Sequence, residues 1–152
     1  MGGFGYQSKK KYPPALKLPS RKPDSVVQAK TYPNQAFFFR LTGDRNPLHL
    51  DVKEAKKMNL KAPILHGNNI CYLGMATFGT IGRVLSQEIL VNDPSRMKAF
   101  HTRFTGVVCP GDTLAVTVWK EGENLYVFEA EVVERKTKAI IGSMELHPVA
   151  KL

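Results

Sequence analysis

The chain has 152 residues, 43% apolar and 23% charged; this fits one folded domain with a single sizeable core and excludes a disordered chain or two domains of ordinary size. No run of about 18 consecutive apolar residues occurs, which excludes a transmembrane helix, and Met1-Gly2-Gly3-Phe4-Gly5 lacks the charged-then-apolar layout of a signal peptide. The formal charge of +9 is concentrated in residues 1–23, where Lys9, Lys10, Lys11, Lys17, Arg21 and Lys22 stand without an acid and leave only +3 for residues 24–152, so no nucleic-acid-binding face is expected.

Residues 1–30, with Pro13, Pro14, Pro19 and Pro23 among the lysines, predict an extended, solvated arm, and residues 31–152 the folded domain. Asn34 is placed to cap a short buried helix through Ala36, Phe37, Phe38, Phe39 and Leu41, which Gly43 stops. Gly43-Asp44-Arg45-Asn46-Pro47 is dense in turn formers, and Pro47 pushes Asn46 out of helical geometry. Asp51 is a cap for a second short helix, by way of the Lys53 and Glu54 amides, and Pro63 forbids its continuation.

Residues 68–90 carry Ile70, Leu73, Thr77, Ile81, Val84, Leu85 and Ile89 at helical spacing. Gly74, Gly79 and Gly82 weaken that helix and let a sheet approach it closely. The period then changes. Residues 97–109, 113–120, 125–134 and 138–147 predict strands divided by Pro110-Gly111-Asp112, Glu121-Gly122-Glu123-Asn124 and the Thr137 region. Successive strands are expected to pair antiparallel, giving an α+β domain in which one long helix is wrapped by a curled antiparallel sheet. Cys71 and Cys109 lack metal-ligand spacing and are expected as reduced thiols without a chemical role.

Asp44 and His49 stand five residues apart, and Gly43 and Asn46-Pro47 are the residues able to curl the chain between them. A carboxylate and an imidazole converging on one water suit hydration, one orienting the water and the other exchanging a proton near neutral pH. Adding water to an enoyl thioester also requires donors for the thioester oxygen, and the Gly67 amide, after His66 where the long helix is expected to begin, is such a donor. From residue types alone, Gly-Asp-Arg-Asn-Pro equally fits a surface turn and His49 a structural histidine. His101 and His147, among strand residues, read as structural.

Gly43-Asp44-Arg45-Asn46-Pro47-Leu48-His49 resembles the Gly-Asp-x-Asn-Pro-aliphatic-His motif of the MaoC-like, or hydratase 2, family of (R)-specific enoyl-CoA hydratases. The resemblance continues in Ala62-Pro63-Ile64-Leu65-His66-Gly67, in Val108-Cys109-Pro110-Gly111-Asp112-Thr113-Leu114 and in Trp119-Lys120-Glu121-Gly122. It implies a hot-dog fold and syn hydration of a trans-2-enoyl-CoA to the (3R)-3-hydroxyacyl-CoA in fatty-acid β-oxidation. Carried over by position, Asp44 and His49 activate the water, Asn46 supports their loop and the Gly67 amide stabilises the enolate-like oxygen, while His66, Arg45 and Pro47 contact substrate. No metal and no redox cofactor is implied, coenzyme A being part of the substrate.

The chain also resembles the second of two tandem hot-dog repeats in the peroxisomal hydratase unit of multifunctional β-oxidation enzymes. Pairing with another hot-dog repeat, or a homodimer, is therefore expected. Ala150-Lys151-Leu152 is similar to the Ser-Lys-Leu peroxisomal signal, which implies an import receptor as partner and the peroxisomal matrix as location. Two rival functions are an acyl-CoA thioesterase and a non-catalytic half-unit that binds acyl-CoA or a partner repeat.

Overall fold

A computed structural model of the protein describes residues 17–41, 43–67 and 77–148. Its strands are β1 (Ser25–Lys30), β2 (Met97–Phe104), β3 (Thr113–Lys120), β4 (Leu125–Val132) and β5 (Thr137–Leu146), in the spatial order β1-β3-β4-β5-β2 and antiparallel throughout. Helix α1 (Gln35–Leu41) and helix α2 (Val52–Lys57) precede α3 (Thr77–Leu85), which runs on into one π turn over Ser86–Leu90. Residues 68–76, expected as the start of that helix and including Ile70, Cys71, Leu73 and Gly74, lie outside the described residues. So do residues 1–16 of the arm and the Ala150-Lys151-Leu152 terminus.

Strand β3 shows why these segments become sheet. Leu114, Val116 and Val118 alternate with less buried residues and turn one face inward. From β4 and β5, Phe128, Ala130, Val132, Ile140, Met144 and Leu146 join the same core, which Ile81, Val84 and Leu85 of α3 close from above as that helix lies across β1 and β3. Each large apolar side chain so buried is worth about 1.5–3 kcal/mol relative to exposure. At Gly142 of β5 an added Cβ would collide with the Phe128 ring and the His101 carbonyl, so only glycine lets β2, β5 and that ring pack this closely.

Three expectations are corrected. First, Ser25–Lys30 is no part of a solvated arm: it pairs with β3 from Ser25↔Val118 to Lys30↔Thr113. Residues just before it are tied down as well, because Asp24 accepts from the Lys120 amide at 2.7 Å, and the Trp119 indole donates to the Arg21 carbonyl at 3.1 Å. The lysines and prolines around this segment mask a short edge strand whose partners lie 83 to 93 residues away in sequence.

Second, β2 and β3 are consecutive without being neighbours. β2 pairs with β5, from Met97↔Leu146 to Phe104↔Ile140, and the chain crosses to β3 through residues 105–112. There the Thr105 and Gly106 amides donate to the Ala139 carbonyl. Asp112 then accepts from the Cys109 amide and takes both arms of the Arg135 guanidinium at 2.7 Å, which locks the far end of the crossover. Pro110-Gly111-Asp112 thus closes a crossover and not a hairpin.

Third, α1 is buried on one face only. Gln35, Ala36 and Phe39 face the interior while Phe37 and Phe38 are exposed, since a rotation of about 100° per residue cannot turn three consecutive side chains inward.

Candidate active site

The loop after α1 takes its shape from its own polar side chains. Gly43 has φ +105°, a conformation that favours glycine, and its N–H donates to the Arg40 carbonyl as the helix ends. The Asp44 carboxylate (Oδ1) accepts from the Asn46 N–H at 2.9 Å, and Asn46 Oδ1 from the Leu48 N–H at 3.1 Å. Pro47 opens a 3₁₀ turn over Pro47–His49, after which Asp51 Oδ1 accepts from the Lys53 N–H at 2.7 Å and starts α2. Each of these side chains thus supplies the bond that bends the next stretch.

That bend brings His49 back beside Asp44. One ligand atom each of Asp44, His49 and His66 lie within 4.8 Å of one another. The His49 Nδ1 lies 2.7 Å from the Ile64 carbonyl oxygen. A carbonyl only accepts, so Nδ1 carries the ring proton and the other nitrogen, Nε2, keeps its lone pair.

His66 comes from the extended segment that follows Pro63, which is anchored to the crossover by the Leu65 N–H donating to the Val108 carbonyl at 2.7 Å. Its ring is stacked on His49 with centroids 3.6 Å apart and on Phe39 of α1 at 3.9 Å. The residue is 5% exposed, and its Nε2 stands 3.4 Å from Asp44 Oδ2. Among the described residues its Nδ1 has no hydrogen-bond partner. Burial, and after it the neighbouring His49, push His66 from the ordinary 6.5 down to about 4, against the pull of Asp44.

Beside His49 opens a cleft of about 250 Å³ walled by Pro33, Phe37, Leu50, Pro63 and Pro110, with the free thiol of Cys109 in the same wall. Burial, and then the Asp112 carboxylate, raise that thiol above its ordinary value, so it stays protonated at neutral pH.

Of the residues singled out in the sequence, Asp44, His49 and His66 come together. Asn46 turns its side chain onto its own loop, and Arg45 and Pro47 are exposed on that loop and do not line the cleft. Gly67 follows His66, and a Cβ there would touch the Phe104 ring at ordinary van der Waals distance. His101 and His147 are exposed on and beside the sheet, away from this cluster. Phe39 and the Ile64 carbonyl escaped sequence reasoning: an interior phenylalanine and a backbone oxygen carry no motif, and only the fold shows what each touches.

Two imidazoles and a carboxylate have the composition of a transition-metal triad, but their arrangement suits hydrogen bonding better. Stacked rings direct their lone pairs side by side and not at one point. A metal on His66 Nε2 would also drive that ring's proton to the buried Nδ1, which has no acceptor among the described residues. What the site can do is hold a water between a carboxylate and a basic imidazole nitrogen.

Comparison with known proteins gives a consistent picture. Residues 15–142 match the family model described as MaoC like domain. The peroxisomal multifunctional enzyme type 2 of Mus musculus is 41% identical over 134 residues, which cover 88% of this chain and 17% of that enzyme. The peroxisomal enoyl-CoA hydratase 2 of Arabidopsis thaliana is 35% identical over 153 residues, covering 95% of this chain and 47% of that protein. The crystal structure of a MaoC-like dehydratase from Phytophthora capsici superposes with a TM-score of 0.81 at 34% identity, covering 93% of this chain and 48% of that one. The sheet with its central helix is therefore the hot-dog fold, and the chain spans half or less of each of these relatives.

Proposed function

The chain belongs to the MaoC-like domain family, and from that premise we propose that it adds water across the double bond of a trans-2-enoyl-CoA to give the (3R)-3-hydroxyacyl-CoA. The observation that carries this reading is the convergence of Asp44 and His49, with the His49 proton committed to the Ile64 carbonyl.

In the proposed reaction a water sits between the Asp44 carboxylate and His49 Nε2. His49 Nε2 accepts one of its protons as the oxygen bonds to C3 of the enoyl thioester. The electron pair of the C2–C3 double bond moves toward the thioester, whose oxygen gains negative charge and takes a hydrogen bond from the Gly67 N–H. The proton held by His49 then passes to C2 on the same face, which completes syn addition and returns the imidazole to its starting state. Asn46 keeps Asp44 and the 3₁₀ turn in register through its N–H and its side-chain oxygen. The apolar cleft beside His49 suits the acyl portion, and the exposed loop residues Arg45 and Pro47 are assigned to substrate contact outside it. Coenzyme A enters as part of the substrate, and no other cofactor is required.

The test is incubation with crotonyl-CoA. Loss of the enoyl absorbance without release of free thiol supports hydration, whereas thiol release would assign a thioesterase. Chiral analysis of the 3-hydroxyacyl product tests the (R) assignment. Fatty-acid β-oxidation in the peroxisome is the setting we propose, because the mouse and Arabidopsis relatives carry peroxisomal names. We further propose that the free edge at β2, exposed along most of its length, pairs with a second hot-dog unit, either another copy of this chain or a partner repeat.

A further inference from the structure

His66 touches both groups assigned to the water, yet it has no room to touch a substrate. One face of its ring lies on Phe39 and the other on His49, and the residue is 5% exposed. At the ring's edge Nε2 faces the Asp44 carboxylate at 3.4 Å, while Nδ1 has no hydrogen-bond partner among the described residues. A neutral imidazole has one N–H. With a carboxylate 3.4 Å from Nε2, somewhat longer than an ordinary hydrogen bond, and no acceptor at Nδ1 among the described residues, the proton belongs on Nε2.

From this geometry we infer that His66 is a positioning residue, a neutral imidazole whose Nε2–H orients the Asp44 carboxylate while its ring face holds His49 in place. The Asp44 carboxylate is then approached at both oxygens, by the Asn46 N–H hydrogen bond on Oδ1 and by the longer 3.4 Å contact of His66 on Oδ2, with its remaining lone pairs left for a water. Neutrality is part of the role. A charged His66 would pair with Asp44 and repel the positive charge that His49 gains on taking a proton, and the low value of about 4 keeps the ring uncharged through the physiological range. The substrate contact expected for His66 from the sequence gives way to this role.

The inference rests on the hydratase reading, and two measurements separate the failure of one from the failure of the other. In the 152-residue chain, His66→Phe keeps a flat ring between Phe39 and His49 and removes the N–H. His66→Gln returns an N–H with the reach of Nε2. With crotonyl-CoA, His66→Phe is expected to lose roughly 10- to 100-fold in kcat with KM changed by less than about threefold, the scale of a misplaced reacting group. His66→Gln is expected to recover at least about fivefold of that loss in kcat, since it restores the N–H facing the carboxylate. A rise in KM with kcat unchanged would make His66 a substrate contact and overturn the inference, as would a His66→Phe variant with full kcat. Nitrogen-15 NMR of the unmodified chain should find His66 neutral with its proton on Nε2 from pH 7 down to about pH 5. A charged ring, or a proton on Nδ1, overturns the inference even if the chain hydrates nothing.

Discussion

The His49 ring and the Ile64 carbonyl are joined at 2.7 Å, and this one bond decides which nitrogen of His49 is basic. Under the proposed reaction, His49→Ala removes the proton acceptor, and Asp44→Asn removes the charge assigned to orienting the water while keeping the shape. Each variant is expected to lose at least about 100-fold in turnover on crotonyl-CoA, the usual scale for a positioned acid or base. Far-ultraviolet circular dichroism should be unchanged, since neither side chain belongs to the apolar core.

The buried His66 makes stability depend on pH in a window of its own. Its folded value of about 4 lies below the ordinary 6.5, so between the two the unfolded chain binds the extra proton. The contribution is therefore complete above about pH 6.5 and is lost as pH falls toward 4, amounting to about 3 kcal/mol. Asp24, Asp93 and Glu134 are all held below the usual carboxylate range by hydrogen bonds. Urea unfolding at pH 6.5, 5.5 and 4.5 should show this slope, and His66→Phe should flatten it.

Gly142 offers a purely steric test. A methyl group there meets the Phe128 ring and the His101 carbonyl in the middle of the sheet, where neither can retreat. Gly142→Ala is expected to cost about 2–3 kcal/mol, measured as a lowered urea midpoint with unchanged slope.

Val91 ends the π turn with φ 54° and ψ 41°, a conformation that β-branched residues avoid, and it is 69% exposed. Val91→Gly should relieve the strain with little loss of burial and raise stability by about 1 kcal/mol. A midpoint that falls would show that the exposed valine packs more than its surface area indicates.

Strand β2 tests the pairing proposal. Light scattering at micromolar concentration should give twice the 17.0 kDa chain mass, and Thr102→Lys, a charge on the exposed edge strand, should return it to a single chain. A single-chain mass for the unmodified protein would refute self-pairing.

How much of this was legible in the sequence follows from how far apart the interacting residues lie. The alternation in β3 and the Asp51 cap of α2 are local, and both are visible in the residue order. The β1–β3 and β2–β5 pairings are not, because partners such as Ser25 and Val118 are brought together only when the core forms. The same division runs through the candidate site. Gly43 to His49 reads as a bend, whereas the stack of Phe39, His66 and His49 joins three segments with no shared periodicity.

The bend itself is built from bonds that reach only two to four residues along the chain, from Asp44 to the amide of Asn46, Asn46 to Leu48 and Asp51 to Lys53, with the Leu50 and Asp51 amides donating to the Pro47 carbonyl. Such a contour travels with its own short string of letters and asks little of the scaffold beneath. A substitution in the sheet that keeps the ends of this loop in place therefore leaves the contour unchanged, whereas Asp44→Ala or Asn46→Ala removes one of its bonds directly.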